Sequence, residues 1–323
     1  MKIAFCADPL DGFKIYKDTT YAMMTEAARR GHEVHAFEQK DMAIEGGVVM
    51  ANIARITIAD ATGTSNAAHN AEQASWYEAA APVAMPLHAL DAVVMRKDPP
   101  FDMEYIYATY LLELAQQQGA RVFNRPDAVR NHNEKLAITQ FPDLIAPTLV
   151  TSDALRIRAF HAEHRDIILK PLDGMGGAGV FRVREDGMNL GAIIEGLTVE
   201  GRTTIMVQRY LPAIVKGDKR ILLIGGTVVP FCLARIPQGG EVRGNLAAGG
   251  LGVAQPLSDT DRRIAHALAP VLWARGLLLV GLDVIGENLT EINVTSPTCF
   301  QEITQQTGFD VPGLFMNALE KAV

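Results

Sequence analysis

Ile168-Leu169-Lys170-Pro171-Leu172-Asp173-Gly174-Met175-Gly176-Gly177-Ala178-Gly179-Val180-Phe181-Arg182-Val183 reads as a strand, a glycine loop and a second strand. The loop has the spacing G-x-G-x-x-G. In a dinucleotide-binding βαβ unit that pattern opens a helix, whose N-terminus carries the pyrophosphate. Here Val180 to Val183 continues as a strand. The segment therefore predicts a hairpin of an antiparallel α+β region and argues against a doubly wound nucleotide fold. Glycine lets backbone N–H groups approach phosphates closely. Taken alone, Gly174, Met175, Gly176 and Gly177 read equally as a phosphate cover or as a plain flexible hairpin. Lys170, just ahead of them, turns the reading toward phosphate.

Upstream, strand and helix alternate: Ile3 to Ala7, Tyr21 to Arg30 closed by Gly31, Val34 to Phe37, Ala92 to Met95, Met103 to Gln118 and Arg121 to Phe123. Apolar positions Met103, Ile106, Tyr107, Tyr110, Leu111 and Leu114 keep helical spacing. This alternation predicts a parallel α/β domain over residues 1–124. Residues 51–81, rich in Ala, Asn and Thr without a clean period, are expected to be surface loop and short helix. After Asn124 the pattern changes. Pro126 opens a helix, a strand follows at Thr148 to Val150, and a helix runs from Ala154 to His164. Further on, Gly225-Gly226 between two apolar runs is a two-residue hairpin signal. Ser258-Asp259-Thr260-Asp261 is a capping box that opens a helix ending at Gly276.

Two further segments carry chemistry. Ile236 to Gly250 is long, small and polar after a strand, which suits a lid or, in the plainer reading, a solvated connector. In the run Val280 to Pro297, Glu291 and Asn293 stand two apart on a strand, so both face one surface while Ile292 and Val294 face the core. With Asp283 across a hairpin they form a hard-oxygen set suited to Mg²⁺ on ATP phosphates. The plainer reading is a solvated polar face. For Asp283 to join, it must pair with Glu291 rather than Ile292, and the simplest hairpin that does so has the three-residue loop Gly286-Glu287-Asn288.

Composition narrows the function. With 30 Lys plus Arg against 37 Asp plus Glu and a net charge of −7, the chain lacks a basic face for nucleic acid. The apolar run Leu277 to Leu282 is far short of the ~20 residues of a membrane span. The first strand is too short for a signal peptide. A cytoplasmic protein is expected, with Cys6, Cys232 and Cys299 as reduced, packed thiols.

Together these segments resemble the ATP-grasp ligases and, within them, the prokaryotic glutathione synthetases. The resemblance is carried by Met95-Arg96-Lys97-Asp98-Pro99-Pro100-Phe101-Asp102, Asn133-Glu134-Lys135-Leu136, the Lys170 to Gly177 segment, Tyr210-Leu211-Pro212-Ala213, Gly217-Asp218-Lys219-Arg220, Leu233-Ala234-Arg235-Ile236-Pro237-Gln238-Gly239-Gly240 and Leu289 to Thr298. It implies a two-part ATP-grasp fold of antiparallel sheets and helices after the N-terminal substrate-binding domain. Residues 125–208 would hold the glycine loop, and residues 209–323 the lid and metal site. The implied reaction joins glycine to γ-glutamylcysteine through an acyl phosphate, with ATP cleaved to ADP and phosphate. By the resemblance, Lys135 and Lys170 hold ATP phosphates, Gln208, Tyr210 and Leu211 meet adenine, and Asp218 lies near the ribose or the phosphate network. Asp283, Glu291 and Asn293 bind Mg²⁺, two ions for which Mn²⁺ can substitute, and Arg220 and Arg235 stabilise the acyl phosphate. A homo-oligomer is expected. Leu251 stands where the resemblance leads one to expect a basic residue at the lid's end, and Gly179 where relatives often carry Ser. A D-alanine:D-alanine ligase-like enzyme would share the lysines, glycine loop and metal set but not the Arg96 to Asp102 segment or the lid. A non-catalytic ATP-binding module would not need Arg220, Arg235, Asp283, Glu291 and Asn293 together. A nicotinamide oxidoreductase would betray itself by the absorbance of its cofactor.

Overall fold

Three sheets follow one another along the chain in the structure, a computed structural model that describes residues 1–59, 76–239, 244, 246 and 249–323. The first sheet comprises β1 (Lys2–Cys6), β2 (Glu33–Phe37), β3 (Met42–Glu45), β4 (Val48–Ile58), β5 (Tyr77–Ala79), β6 (Val83–Pro86), β7 (Ala92–Met95) and β8 (Val122–Phe123). Its centre is parallel in the order β2-β1-β7-β8. Helices α1 (Thr19–Arg29) and α2 (Met103–Gln117) make the crossovers that parallel pairing requires. Asp18 and Asp102 cap these helices by accepting from Tyr21 N and Tyr105 N.

The expected loop and short helix at 51–81 is corrected for the residues described. Ala51 to Ile58 belong to the eleven-residue strand β4. The burial rhythm explains why no clean period was visible. Val49, Ala51 and Ile53 are buried in alternation, then the phase slips by one residue to Ile56 and Ile58. The first half of β4 pairs with β3 and β6, the second with β2 and β5, so each half keeps its own alternation. The remainder of that stretch, 60–75, lies outside the described residues.

After α3 (Pro126–Arg130), a four-stranded antiparallel sheet forms in the order β11-β10-β12-β9, from β9 (Thr148–Thr151), β10 (Ile167–Pro171), β11 (Phe181–Val183) and β12 (Ile205–Arg209). Helices α4 (Ala154–His164) and α5 (Leu190–Thr198) cover it. The third sheet, in the order β15-β14-β13-β16-β17, comprises β13 (Asp218–Ile224), β14 (Thr227–Ile236), β15 (Leu251–Pro256), β16 (Leu279–Ile285) and β17 (Asn288–Asn293), all antiparallel. Helix α6 (Asp259–Ala274) packs on it. The Ser258 capping box is formed in both directions, and the Asp261 carboxylate also binds Lys219. Helices α7 (Phe300–Thr307) and α8 (Val311–Ala322) return to the first sheet's core, where Phe300 and Phe315 meet edge-on and fully buried. Burying a side chain of that size stabilises by about 1.5–3 kcal/mol.

One side chain joins the first sheet to the third. Asn124, buried after β8, donates from Nδ2 to the carbonyls of Leu279 and Val294, both at 2.8 Å, and accepts from Leu279 N at 2.9 Å. The three cysteines are buried and free, as expected. Among the described residues, no helix is long and apolar enough to cross a membrane.

Candidate active site

Strand parity decides which side chains enter the cleft between the second and third sheets. On β10, Ile167 and Leu169 are buried in the core of the second sheet, while Ile168 and Lys170 line a cavity of about 710 Å³. Gln208, opposite Ile168 on β12, joins them and donates to Thr148 Oγ1. Tyr210, Asp218, Thr290 and Glu291 complete the polar side of this cavity, with Ala146, Val180, Leu211, Ile214 and Ile285 supplying apolar walls. The Tyr210 ring is held by the Arg182 guanidinium, 3.5 Å from its centroid. That guanidinium is in turn fixed by two bonds to Asp166, at 2.9 and 2.6 Å. A flat, apolar slot with a few polar edges suits a nucleotide base.

The third sheet sets a row of alternating charge across its strands. Asp218 and Arg220, two apart on β13, share a face. Asp218 pairs with Arg235 of β14, Arg220 with Asp283 of β16, Asp283 with Glu291 of β17, and Gly281 with Asn293. Directly paired residues face the same side, so all six functional side chains leave one surface. The row closes into bonds. Arg220 grips Asp283 at 2.5 and 3.0 Å, and Arg235 bridges Asp218 at 2.5 Å and Asp283 at 2.8 Å. Gly281 makes room for this, because a Cβ there would stand 2.8 Å from Arg220 Cδ.

The register of Asp283 is the expected one, reached by another route. The turn is the two-residue Gly286-Glu287, pairing Ile285 with Asn288 and Val284 with Leu289. Left regular, that turn would put Asp283 opposite Thr290. A bulge between Val284 and Asp283 shifts the partner to Glu291 and restores the shared face. Gly286 takes the positive φ of 61° that the turn needs.

Electrostatics divide the site. Lys135 and Lys170 both approach Glu291 Oε1, at 3.8 and 3.7 Å, and Lys135 also donates to the carbonyl of Gly174. Burial pushes the Lys170 ammonium below its ordinary pKa, opposed by Glu291 and reinforced by Lys135. Burial also raises Asp218 to about 7. Arg235 opposes that rise, and the carboxylates of Asp283 and Glu291 add to it. Asp283 is equally buried, but two guanidiniums hold it well below the usual carboxylate range.

A second cavity, about 740 Å³, is lined by Arg220 and Arg235 with Met175, Gly176, Asp98, Asn293 and Thr295 to Cys299. The expected residues thus gather around two adjoining cavities. Lys170, Gln208, Tyr210, Leu211, Asp218 and Glu291 line the first; Met175, Gly176, Arg220, Arg235 and Asn293 line the second. Lys135 and Gly174 line a smaller space beside them, and Gly177 lies in the turn carrying the loop into β11. Asp283 is 2 % exposed, below the cavity walls. Its oxygens accept three bonds in all, leaving one of a carboxylate's roughly four acceptor positions for a cation. Asn293 donates from Nδ2 to Gly281, and its Oδ1 is the hard donor of that side chain. These oxygens fit a hard divalent cation. Among the described residues, no three His, Cys, Asp or Glu side chains converge as a metal cluster, so Asn293 is needed to complete the set.

Part of the lid segment, residues 240–243, 245, 247 and 248, lies outside the described residues. Gly244 is described and buried, and a Cβ there would stand 2.2 Å from the Arg235 carbonyl oxygen. That closeness was not legible in the sequence. Nor was the role of Glu134, which accepts through one oxygen from Val294 N, Thr295 N and Thr295 Oγ1, at 2.8, 3.0 and 2.9 Å. Its backbone carbonyl also takes Ile292 N, so Glu134 sets the end of β17 against the lysine that follows it in sequence. The only hint was its place beside Lys135.

Solved structures of similar fold include the D-cycloserine synthetase DcsG, with TM-score 0.66 and 16 % identity, covering 99 % of this chain and 100 % of that one. The ATP-grasp ligase PsnB, with precursor, Mg and ADP, has TM-score 0.62 and 18 % identity, covering 99 % and 97 %. The fold is that of the ATP-grasp ligases, enzymes that use ATP to form a carbon–nitrogen bond. Residues 1–130 match the N-terminal domain of prokaryotic glutathione synthetase, and residues 134–308 match its ATP-grasp domain. The glutathione synthetases of Ralstonia nicotianae and Bordetella parapertussis are 62 % and 60 % identical over 322 residues, covering 100 % of this chain and 96 % and 99 % of theirs; that of Vibrio parahaemolyticus is 49 % identical. The chain belongs to the prokaryotic glutathione synthetases.

Proposed function

We propose that the two adjoining cavities divide the ligation of glycine to γ-glutamylcysteine between them. ATP takes the first, its base against Gln208, Tyr210 and Leu211 and its phosphates toward Lys135, Lys170 and the Gly174 to Gly177 loop. The dipeptide takes the second, its cysteinyl carboxylate turned toward Arg220 and Arg235. In this reading residues 1–124 bind substrate, 125–208 carry the glycine loop, and 209–323 carry the lid and the metal ligands, in a cytoplasmic homo-oligomer. Asp283, Glu291 and Asn293 would hold Mg²⁺, two ions, or Mn²⁺ in their place; when bound, the metal neutralises charge on the phosphates.

A carboxylate is a poor electrophile, so it first takes the γ-phosphoryl group, and the glycine amine then displaces phosphate from the acyl phosphate. The guanidiniums of Arg220 and Arg235 match the oxygens of both the acyl phosphate and the tetrahedral intermediate. Asp283 orients both guanidiniums. The observation that carries the reading is the link between the two cavities: Asp218 of one bonds Arg235 of the other at 2.5 Å, and Glu291 of the first stands two residues from Asn293 of the second on β17. The test is phosphate release from ATP with Mg²⁺, γ-glutamylcysteine and glycine, each omitted in turn. Release is expected only with all present. Release that ignores the dipeptide, or preference for D-alanine pairs, would overturn the assignment.

A further inference from the structure

We propose that Arg96 is the anchor for the α-carboxylate at the γ-glutamyl end of the substrate, an inference that rests on the dipeptide reading above. Arg96 follows β7, and its own N–H is fixed to the carbonyl of Cys6 at 2.7 Å. The side chain is 5 % exposed. Its Nε donates to Thr20 Oγ1 at 3.0 Å, while Nη1 is buried with no hydrogen-bond partner among the described residues. A guanidinium stays charged at any accessible pH and presents its donors in a flat fork shaped for a carboxylate. Asp98 and Asp18 act on it through space, yet neither forms an ion pair with it among the described residues. A buried cation left short of its counter-ion marks a place where a ligand supplies one.

Its surroundings say which ligand. Arg96 lines a small cavity whose walls Thr295 and Pro297 also belong to the larger cavity of Arg220 and Arg235. The dipeptide has two carboxylates. With the cysteinyl one at Arg220 and Arg235, the proposal sets the other end at the Thr295 and Pro297 wall that the larger cavity shares with the Arg96 cavity. Asp98, two residues on, lines the larger cavity and is held by Ser296 Oγ on one oxygen. Its second oxygen suits the α-ammonium. A guanidinium and a carboxylate in one segment would therefore read the amino-acid head group and distinguish a γ-linked substrate from one whose α-carboxylate is missing.

The test compares γ-glutamylcysteine with 4-aminobutanoyl-cysteine, which lacks only the α-carboxylate, in steady-state ligation by the full chain. The parent is expected to prefer γ-glutamylcysteine by ~10²-fold in kcat/KM, mostly through KM, with KM for ATP unchanged. Arg96→Gln should erase that preference by losing γ-glutamylcysteine alone, and Arg96→Lys should restore part of it. Equal use of both substrates by the parent overturns the proposal and needs no variant to fold. So does an Arg96→Gln variant that slows both substrates by the same factor, the mark of a purely structural role. If the parent ligates neither substrate, the dipeptide reading itself has failed.

Discussion

On one side of the cleft Arg220 and Arg235 meet Asp218 and Asp283, two guanidiniums for two carboxylates, all within 3 Å of a partner. On the other, Lys135 and Lys170 share Glu291 at nearly 4 Å. The first group is complete in itself; the second carries a surplus cation. Balanced charges buried in a sheet hold geometry, whereas an unbalanced pair is a place kept for an anionic ligand, in the proposed function the phosphates. The two groups should therefore fail differently when changed.

The largest effect separates stability from turnover. Asp283→Asn leaves two buried guanidiniums without their carboxylate and should cost about 3–5 kcal/mol in denaturant unfolding, with ligation lost as well. Glu291→Gln removes a partly exposed carboxylate that stands 3.7–3.8 Å from its lysines, so it should destabilise less than Asp283→Asn while turnover falls at least ~10³-fold. If Glu291→Gln destabilises as much as Asp283→Asn, the contrast between the two sides is broken.

Next in size is the effect of His132, three residues before Lys135. Buried His132 accepts from Arg275 Nη1 at 2.9 Å; burial, helped by that guanidinium, lowers its pKa from 6.5 to about 4. The unfolded chain thus takes the proton first. Stability is fully present above about 6.5 and falls as pH drops toward about 4, by on the order of 3 kcal/mol, levelling off below. Denaturation across this window should be flatter for His132→Gln than for the parent. Matching curves would mean that His132 gains its proton without cost.

The smallest effect has the opposite sign. Removing the surplus cation by Lys170→Met should stabilise the protein measured without nucleotide by about 1 kcal/mol, because an apolar side chain of similar length replaces a desolvated charge. The same change should weaken ATP binding at least tenfold, read by calorimetry. Destabilisation instead would show that Glu291 needs both lysines, and the lysine side would then count as balanced.

Much of the site was legible because it follows strand parity. Lys170, Asp218, Arg220, Glu291 and Asn293 are placed by alternation along short strands, which sequence spacing reports directly. The pairing of Asp283 with Glu291 was also legible as a requirement. Its means was not, since a bulge opposite Asp283 leaves no local mark when the turn alone is considered. Strand β4 was missed for a related reason. A phase slip at Ala54-Arg55 gives two good half-strands and one poor period, and only their separate partners show that both are real.

What the sequence determined by itself was everything set by neighbours: the strand after Gly179 that argues against a dinucleotide helix, the capping box at Ser258, and the alternation that puts the oxygen-bearing Glu291 and Asn293 on one face. Tertiary structure alone decided which charges meet. Arg220, Arg235, Asp218 and Asp283 are separated by up to 65 residues, yet lie on three adjacent strands. Whether a buried guanidinium finds its carboxylate, as Arg220 does, or waits with Nη1 unpaired, as Arg96 does, depends on which strand and loop arrive beside it. A Coulomb interaction that falls with distance in space has no counterpart in distance along the chain.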